Sequence, residues 1–168
     1  AAIRRLEPDV LLVQELSVRP EARSWLGTLL QGLGLPSFVV PEPGQLSYSS
    51  AVASRFELTP VPAFDAAPFP ELLVAADLQL GPTTVRFVSA HMPNGSNHGW
   101  KKVDSLECVI KHAAEHAAPI VVGGDFNEPV AVLPSGEMCS VAGTPSPTGV
   151  VANGNWTRRE KPIRSAGQ

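Results

Sequence analysis

Apolar residues fall along this chain in runs of two kinds. Val10-Leu11-Leu12-Val13 is continuous and flanked by Pro8-Asp9 and Gln14-Glu15. A run this short and wholly apolar predicts a strand covered on both faces. Over residues 20–33 the apolar positions Trp25, Leu26, Leu29, Leu30 and Leu33 recur at helical spacing. Pro20 suits the first turn of that helix, and Gly32 and Gly34 stand where it should stop. Val39-Val40 is a second apolar pair before Pro41 and Pro43 turn the chain, and residues 50–58 read as a short strand with Arg55 near its end. Pro60, Pro62, Pro68 and Pro70 predict a surface loop of restricted conformation. Leu72, Val74, Ala76, Leu78 and Leu80 alternate with period two, as in a half-buried strand. Gly81-Pro82 supplies a turn, and residues 84–90 return antiparallel with Val85, Phe87 and Ser89 on one face.

The strongest helical pattern covers residues 103–117, with Val103, Leu106, Ile110, Ala113 and Ala117 as its apolar stripe and Glu107 and Lys111 paired opposite. Ile120-Val121-Val122 then predicts another buried strand, ending in Gly123-Gly124-Asp125. Beyond Pro129 the chain is turn-rich, most of all at Thr144-Pro145-Ser146-Pro147. Strand, helix, strands, helix, strand is the order of a layered α/β fold. With no internal repeat and no linker, residues 1–168 are expected to form a single domain.

Composition narrows the function more than the fold. Hydrophobic residues make up 43% and charged residues 17%, a globular balance and not a disordered one. Thirteen basic against sixteen acidic residues leave −3, so no whole-molecule field would hold nucleic acid, and any such contact must be a local patch. Cys108 and Cys139 fit neither a disulfide framework nor a paired metal-ligand spacing. No apolar run reaches the length of a membrane span, and the first residues given do not show a charged head followed by an apolar h-region. The default expectation is a cytoplasmic monomer without an obligate protein partner. The chain opens Ala1-Ala2-Ile3 with no methionine, and is expected to be an internal piece of a longer sequence.

Polar residues gather at three strand exits: Gln14-Glu15, His91-Met92-Pro93-Asn94-Gly95-Ser96, and Gly124-Asp125-Phe126-Asn127. Strand ends along one rim of a sheet are where α/β proteins place ligands. Taken singly, Glu15 reads as a surface carboxylate, His91 as a structural histidine, Asn94-Gly95 as a turn, and Asp125 with Asn127 as a strand stop. Together they form a set suited to a divalent cation and a phosphate.

In this order the motifs resemble the endonuclease/exonuclease/phosphatase superfamily. Residues 8–15, Pro-Asp-Val-Leu-Leu-Val-Gln-Glu, look like its metal-ligand strand, and Ala51-Val52-Ala53-Ser54-Arg55 resembles the next. His91 to Ser96, followed by Trp100-Lys101-Lys102 and a helix, is similar to the exonuclease III-like branch. Gly124-Asp125-Phe126-Asn127 matches the superfamily's most specific tetrapeptide. The resemblance spans roughly residues 8–128. It implies a four-layer α/β sandwich, here without its first and last strands, carrying a phosphoesterase that uses Mg²⁺, with Mn²⁺ as the alternative. Glu15 would be the metal ligand. His91, Asp125 and Asn127 would be catalytic, Asp125 activating water, His91 stabilising charge, and Asn127 bonding the phosphoryl oxygens or that aspartate. Asn94 would bind substrate. Nucleic acid, DNA first, is the implied substrate. A phosphatase or phospholipid phosphodiesterase of the same superfamily and a non-catalytic binding domain are the alternatives. The superfamily's N-terminal Asn and C-terminal Asp-His pair have no counterpart in this sequence, so this piece alone is expected to be inactive.

Three other signals weigh less. His112-Ala113-Ala114-Glu115-His116 matches a zinc-protease pattern, but His112 lies about 200° around the helix from Ile110 and is expected to face solvent. Trp100 is expected to pack and not to stack on a base. Lys101, Lys102 and the basic group Arg158, Arg159, Lys161 and Arg164 could meet a polyanion or simply be solvated.

Overall fold

The computed structural model describes residues 2–94, 98–127, 130–132 and 138–140. Gly95-Ser96 of the histidine motif, the Thr144-Pro145-Ser146-Pro147 stretch and the basic group at 158–164 lie outside them. After the short helix α1 (Ala2–Leu6), β1 (Val10–Ser17) pairs antiparallel with β3 (Tyr48–Ser54), whose other edge takes β2 (Ser37–Val39). A second sheet runs β4 (Leu58–Val61), β5 (Leu73–Leu80), β6 (Thr83–His91) and β7 (Ile120–Asp125). Helix α2 (Pro20–Gly32) follows β1, and α3 (Trp100–Glu115) connects β6 to β7. The fold is mixed α/β with two principal sheets.

Alternation along β5 shows how the sheets are covered. Val74, Ala76 and Leu78 enter one apolar cluster with Val52 of β3 and with Leu12 and Val10 of β1, which joins sheet to sheet. Leu73 and Ala75 enter another with Val88 and Ala90 of β6 and Val109 of α3. Leu26 and Leu30 of α2 pack with Leu11 and Ala53 on the first sheet. Strand β5 is thus covered on both faces, not one, because it is an inner strand between two layers. Its period-two pattern marked where the side chains alternate, but both faces are apolar.

Local chemistry sets the ends. At the end of α2, Leu35 N donates to Leu30 O at 2.9 Å and Gly34 N to Gln31 O at 3.0 Å, with Gly34 at φ 79°. This is a Schellman stop, with Leu35 and Leu30 in the same apolar cluster. Leu80 pairs with Thr83 across Gly81-Pro82, and Gly81 takes φ 59° as the first central position of a type II′ turn demands.

Several sequence expectations are corrected. The proline-rich stretch begins inside a strand: Pro60 pairs with Ala76 on β4, an edge strand that can spare one N–H. Strand β7 is half exposed, with Val121 at 44%, because it has β6 on one side and no strand on the other among the described residues. β1 is likewise half-buried at an edge. Trp25 lies on the exposed side of α2. Past Pro129 the backbone forms an antiparallel pair, β8 (Val130–Val132) and β9 (Met138–Ser140).

Helix α3 is rotated from its expected setting. Ile110 is 58% exposed, while Val109 and Ser105 are buried. Ser105 tolerates burial because its hydroxyl donates to Lys101 O at 2.8 Å. The rotation turns His112 inward, against the Phe64 ring (centroids 5.1 Å) and 3.0 Å from Nη1 of Arg86. Arg86 in turn clasps Asp77 through two bonds of 2.7 and 2.8 Å. The ion pair that Lys111 forms on the helix surface is with Glu115, at 3.9 Å, and not with Glu107.

Burial, and then the Arg86 charge, hold the His112 pKa below the ordinary histidine value. The unfolded chain therefore binds a proton more readily than the folded one, and stability is lost as pH falls through the unfolded histidine pKa of about 6.5. Denaturant midpoints measured from pH 8 to 5 should fall, and His112→Gln should flatten that decline. An unchanged slope in the variant would refute the assignment.

Candidate active site

Strands β6 and β7 run parallel, so their C-terminal ends meet at one edge, and His91 pairs in register with Asp125. Met92 N donates to Asp125 O at 2.7 Å and continues the ladder past both strands. The close approach has a sequence cause at Gly124. It takes φ 146°, and a Cβ there would stand 1.9 Å from the Ala90 carbonyl oxygen. Only glycine lets β7 lie so near β6 at that step.

After Asp125 the chain turns sharply. Asn127 N donates to Asp125 Oδ1 at 2.8 Å, an Asx-turn, and Asn127 itself takes φ 48°, which asparagine tolerates better than most residues. That turn carries the Asn127 amide back onto β6. Its Nδ2 donates to Met92 O at 2.7 Å and lies 3.2 Å from His91 Nε2. The other ring nitrogen, Nδ1, is buried without a hydrogen-bond partner among the described residues. Asp125 Oδ2 stands 3.9 Å from Nε2, too far for a hydrogen bond, and the carboxylate is 49% exposed while the His91 side chain is nearly covered. His91, distant in the chain, and the Asp125–Asn127 turn are one contiguous group.

Two further side chains join this surround, Tyr48, which the sequence did not single out, and Lys102, which it offered to a polyanion. The Tyr48 ring at the start of β3 lies 5.4 Å from the His91 ring, and Lys102 Nζ donates to Asn127 O at 2.8 Å. Lys101 Nζ lies 5.0 Å from the centre of the Phe69 ring. Aromatic and lysine positions carry no mark of such partners without the fold.

Glu15 occupies a β-bulge. Val13 pairs with Ala51 and Leu16 with Ser49, so β1 holds one residue too many between them, and Glu15 takes φ 59°. Bulges re-aim side chains, and a non-glycine residue in this region is held there by its surroundings. The preceding Gln14 donates to Ser89 Oγ at 2.9 Å, and Ser89 donates to Val13 O at 3.0 Å. These bonds tie the bulge to β6 two residues before His91. The Glu15 carboxylate itself is exposed and forms no hydrogen bond or ion pair with another described residue. Asn94, also exposed, follows His91 by three residues, and its carbonyl accepts His98 N at 3.0 Å.

The donor chemistry suits a hard divalent cation. Glu15 and Asp125 offer exposed carboxylate oxygens, and no group of three or more His, Cys, Asp or Glu residues able to hold a metal occurs among the described residues. Mg²⁺ needs one or two carboxylates and keeps several waters, whereas a structural zinc site needs four N or S ligands.

Comparison with known proteins gives a consistent fold. A family model described as the Endonuclease/Exonuclease/phosphatase family matches residues 1–159. No curated protein matches the chain. Among solved structures it is similar to ANGEL2, a 2′,3′-cyclic phosphatase, at 22% identity and TM-score 0.54, covering 75% of this chain and 41% of that one. It is similar to TDP2 of D. rerio, in a complex with a single-strand DNA product, at 16% identity and TM-score 0.57, covering 76% and 51%. Sphingomyelinase C from Streptomyces griseocarneus gives 15% and 0.50, covering 72% and 52%. At these identities the likeness speaks for the fold alone, and the chain spans about half the length of each structure or less.

Proposed function

The chain belongs to the endonuclease/exonuclease/phosphatase family, and on that premise we propose that the complete gene product hydrolyses phosphoric diesters with a bound Mg²⁺ or Mn²⁺, on the family's four-layer α/β sandwich. One observation carries the reading: the parallel register of His91 with Asp125, closed by the Asn127 turn, assembles three polar residues from two distant segments at one strand edge. Glu15 would hold the cation. When bound, such a cation neutralises charge on the phosphoryl oxygens.

The chain's own residues do the rest. Asp125 Oδ2 is the exposed base that takes the proton of the attacking water. The Asx-turn keeps that carboxylate at the mouth of the site by fixing its other oxygen. Asn127 holds the His91 ring, and with that bond released the tautomer that carries the ring proton on Nε2 would donate a hydrogen bond to a phosphoryl oxygen. Direct donation from Asn127 to the phosphate would require it to leave Met92 or His91 first. Asn94 stands three residues past His91 as the substrate-side residue.

Nucleic acid is one substrate class within this reading. The relatives differ on the point: one structure holds a DNA product, another is a 2′,3′-cyclic phosphatase, a third a sphingomyelinase. Lys102 and Lys101, two of the residues that the sequence offered to a polyanion, meet Asn127 and Phe69.

The test is hydrolysis by the complete gene product, with and without Mg²⁺, of single- and double-stranded DNA, a 2′,3′-cyclic nucleotide and sphingomyelin. Turnover of at least one that stops on chelation supports the proposal. Silence on all four, in protein that folds, favours a binding domain instead. Glu15→Gln, which alters only an exposed carboxylate, should raise the Mg²⁺ concentration for half-activity by about tenfold or more. An unmoved Mg²⁺ dependence would remove Glu15 from the metal site.

A further inference from the structure

His91 is held from across the molecule as well as from its own sheet. On β6 the alternation puts Phe87, Ser89 and His91 on one face. Phe87 packs into the apolar cluster between the sheets and Ser89 donates to Val13 O of β1, so that face looks toward the first sheet. On β3 the same alternation puts Tyr48, Ser50 and Val52 together. Val52 enters the same cluster and Ser50 Oγ donates to Leu72 O at 2.9 Å, so this face looks back toward the second sheet. Where the two faces end, the Tyr48 and His91 rings meet, with centroids 5.4 Å apart and planes tilted by 39°. That separation lies in the range where aromatic pairs attract. Tyr48 is the one residue of β3 that is not fully buried, so its ring stands where the strand emerges from the core. Across β1 it pairs with Ser17, two residues past the glutamate in the bulge.

The polar ties of His91 leave such a ring something to do. A histidine ring has a broad choice of outer torsion unless contacts stop it. Nδ1 is buried with no partner among the described residues, and Nε2 has the Asn127 amide at 3.2 Å. In the proposed reaction Nε2 turns to a phosphoryl oxygen only after the Asn127 bond opens. At that moment no hydrogen bond from a described residue holds the imidazole. The Tyr48 ring is independent of that bond, because it arrives from the other sheet. Its hydroxyl makes no hydrogen bond with a described residue, so the ring is the part that acts.

We propose that Tyr48 is a positioning residue, whose ring keeps the His91 imidazole in its observed setting while the Asn127 bond is open. An imidazole free to swing would spend only part of its time within reach of a phosphoryl oxygen, which lowers kcat more than it raises KM. The use made of the placed ring rests on the phosphoesterase reading, whereas the placement does not.

Two measurements on the complete gene product test this. Asn127→Gly removes the amide, tolerates the φ of 48° and keeps the backbone N–H of the Asx-turn. NMR of that variant should still show close contacts between the ring protons of Tyr48 and His91. Their loss would mean that the asparagine alone held the ring, and overturns the proposal. In kinetics, Tyr48→Leu should lower kcat for diester hydrolysis by about tenfold or more, with KM within about threefold of the parent. Tyr48→Phe, which restores the ring, should recover kcat to within about threefold. On a His91→Gln background, Tyr48→Leu should cost less than about twofold further, because no imidazole is left to place. An unchanged kcat in Tyr48→Leu, an equal loss in Tyr48→Phe, or an undiminished loss on the His91→Gln background each overturns the proposal. Should Tyr48→Leu fail to fold, Tyr48→Met takes its place, since a flexible methionine fills irregular gaps. A gene product that folds and hydrolyses none of the test esters ends the phosphoesterase reading, and the ring contacts in Asn127→Gly still decide the placement.

Discussion

Asp125→Asn in the complete gene product is expected to lower kcat/KM for diester hydrolysis by about 10²- to 10⁴-fold, the usual contribution of a positioned general base. Asparagine keeps the oxygen that accepts Asn127 N, so the Asx-turn and the hold on His91 survive. What it removes is the basicity of the exposed oxygen. Asp125→Ala removes both, and should lose activity to the same floor with an added fall in Tm of about 2–4 °C, the equivalent of roughly 1 kcal/mol for one hydrogen bond. The comparison distinguishes chemistry from architecture. If the asparagine variant stays within about threefold of the parent, well short of a base's contribution, Asp125 is a turn residue and not the base.

Gly124→Ala is expected to be the most damaging small substitution in the described chain. The new methyl would meet the carbonyl oxygen of Ala90 at 1.9 Å, and that oxygen belongs to backbone that cannot swing aside. Alanine would also be forced to a φ of 146°, where only glycine is at ease, adding about 1–3 kcal/mol of strain to an overpacking cost of similar size. A fall in Tm of about 10 °C or loss of soluble protein should follow. Gly123→Ala meets only the flexible end of Leu12, at 2.9 Å, and should cost much less. Similar Tm values for the two variants would show that β7 does not run where it is described.

The hairpin was legible in the sequence because its information is local. Gly81-Pro82 and the alternation on either side specify turn, register and face together. The rotation of α3 was not, because hydropathy ranks Ile110 above Ser105, and nothing in the sequence says that the serine hydroxyl is satisfied within its own helix. Strand β4 was hidden by Pro60, which is disfavoured in most strands and harmless at an edge.

At the site, His91, Asp125 and Asn127 were legible as residue types in order, and the parallel register explains why that order matters. The bulge at Glu15 depends on pairing with β3, so the sequence of β1 alone could not reveal it.

The crossover through α3 has a consequence for how the molecule comes into being. Strands β5 and β6 are joined by a tight turn and can zip together early, but parallel neighbours cannot be linked that way. Bringing β7 against β6 closes a loop that contains the whole of α3, so this contact costs more chain entropy than the hairpin does. The pairing of His91 with Asp125 is therefore of much longer range along the chain than the turn that joins β5 to β6.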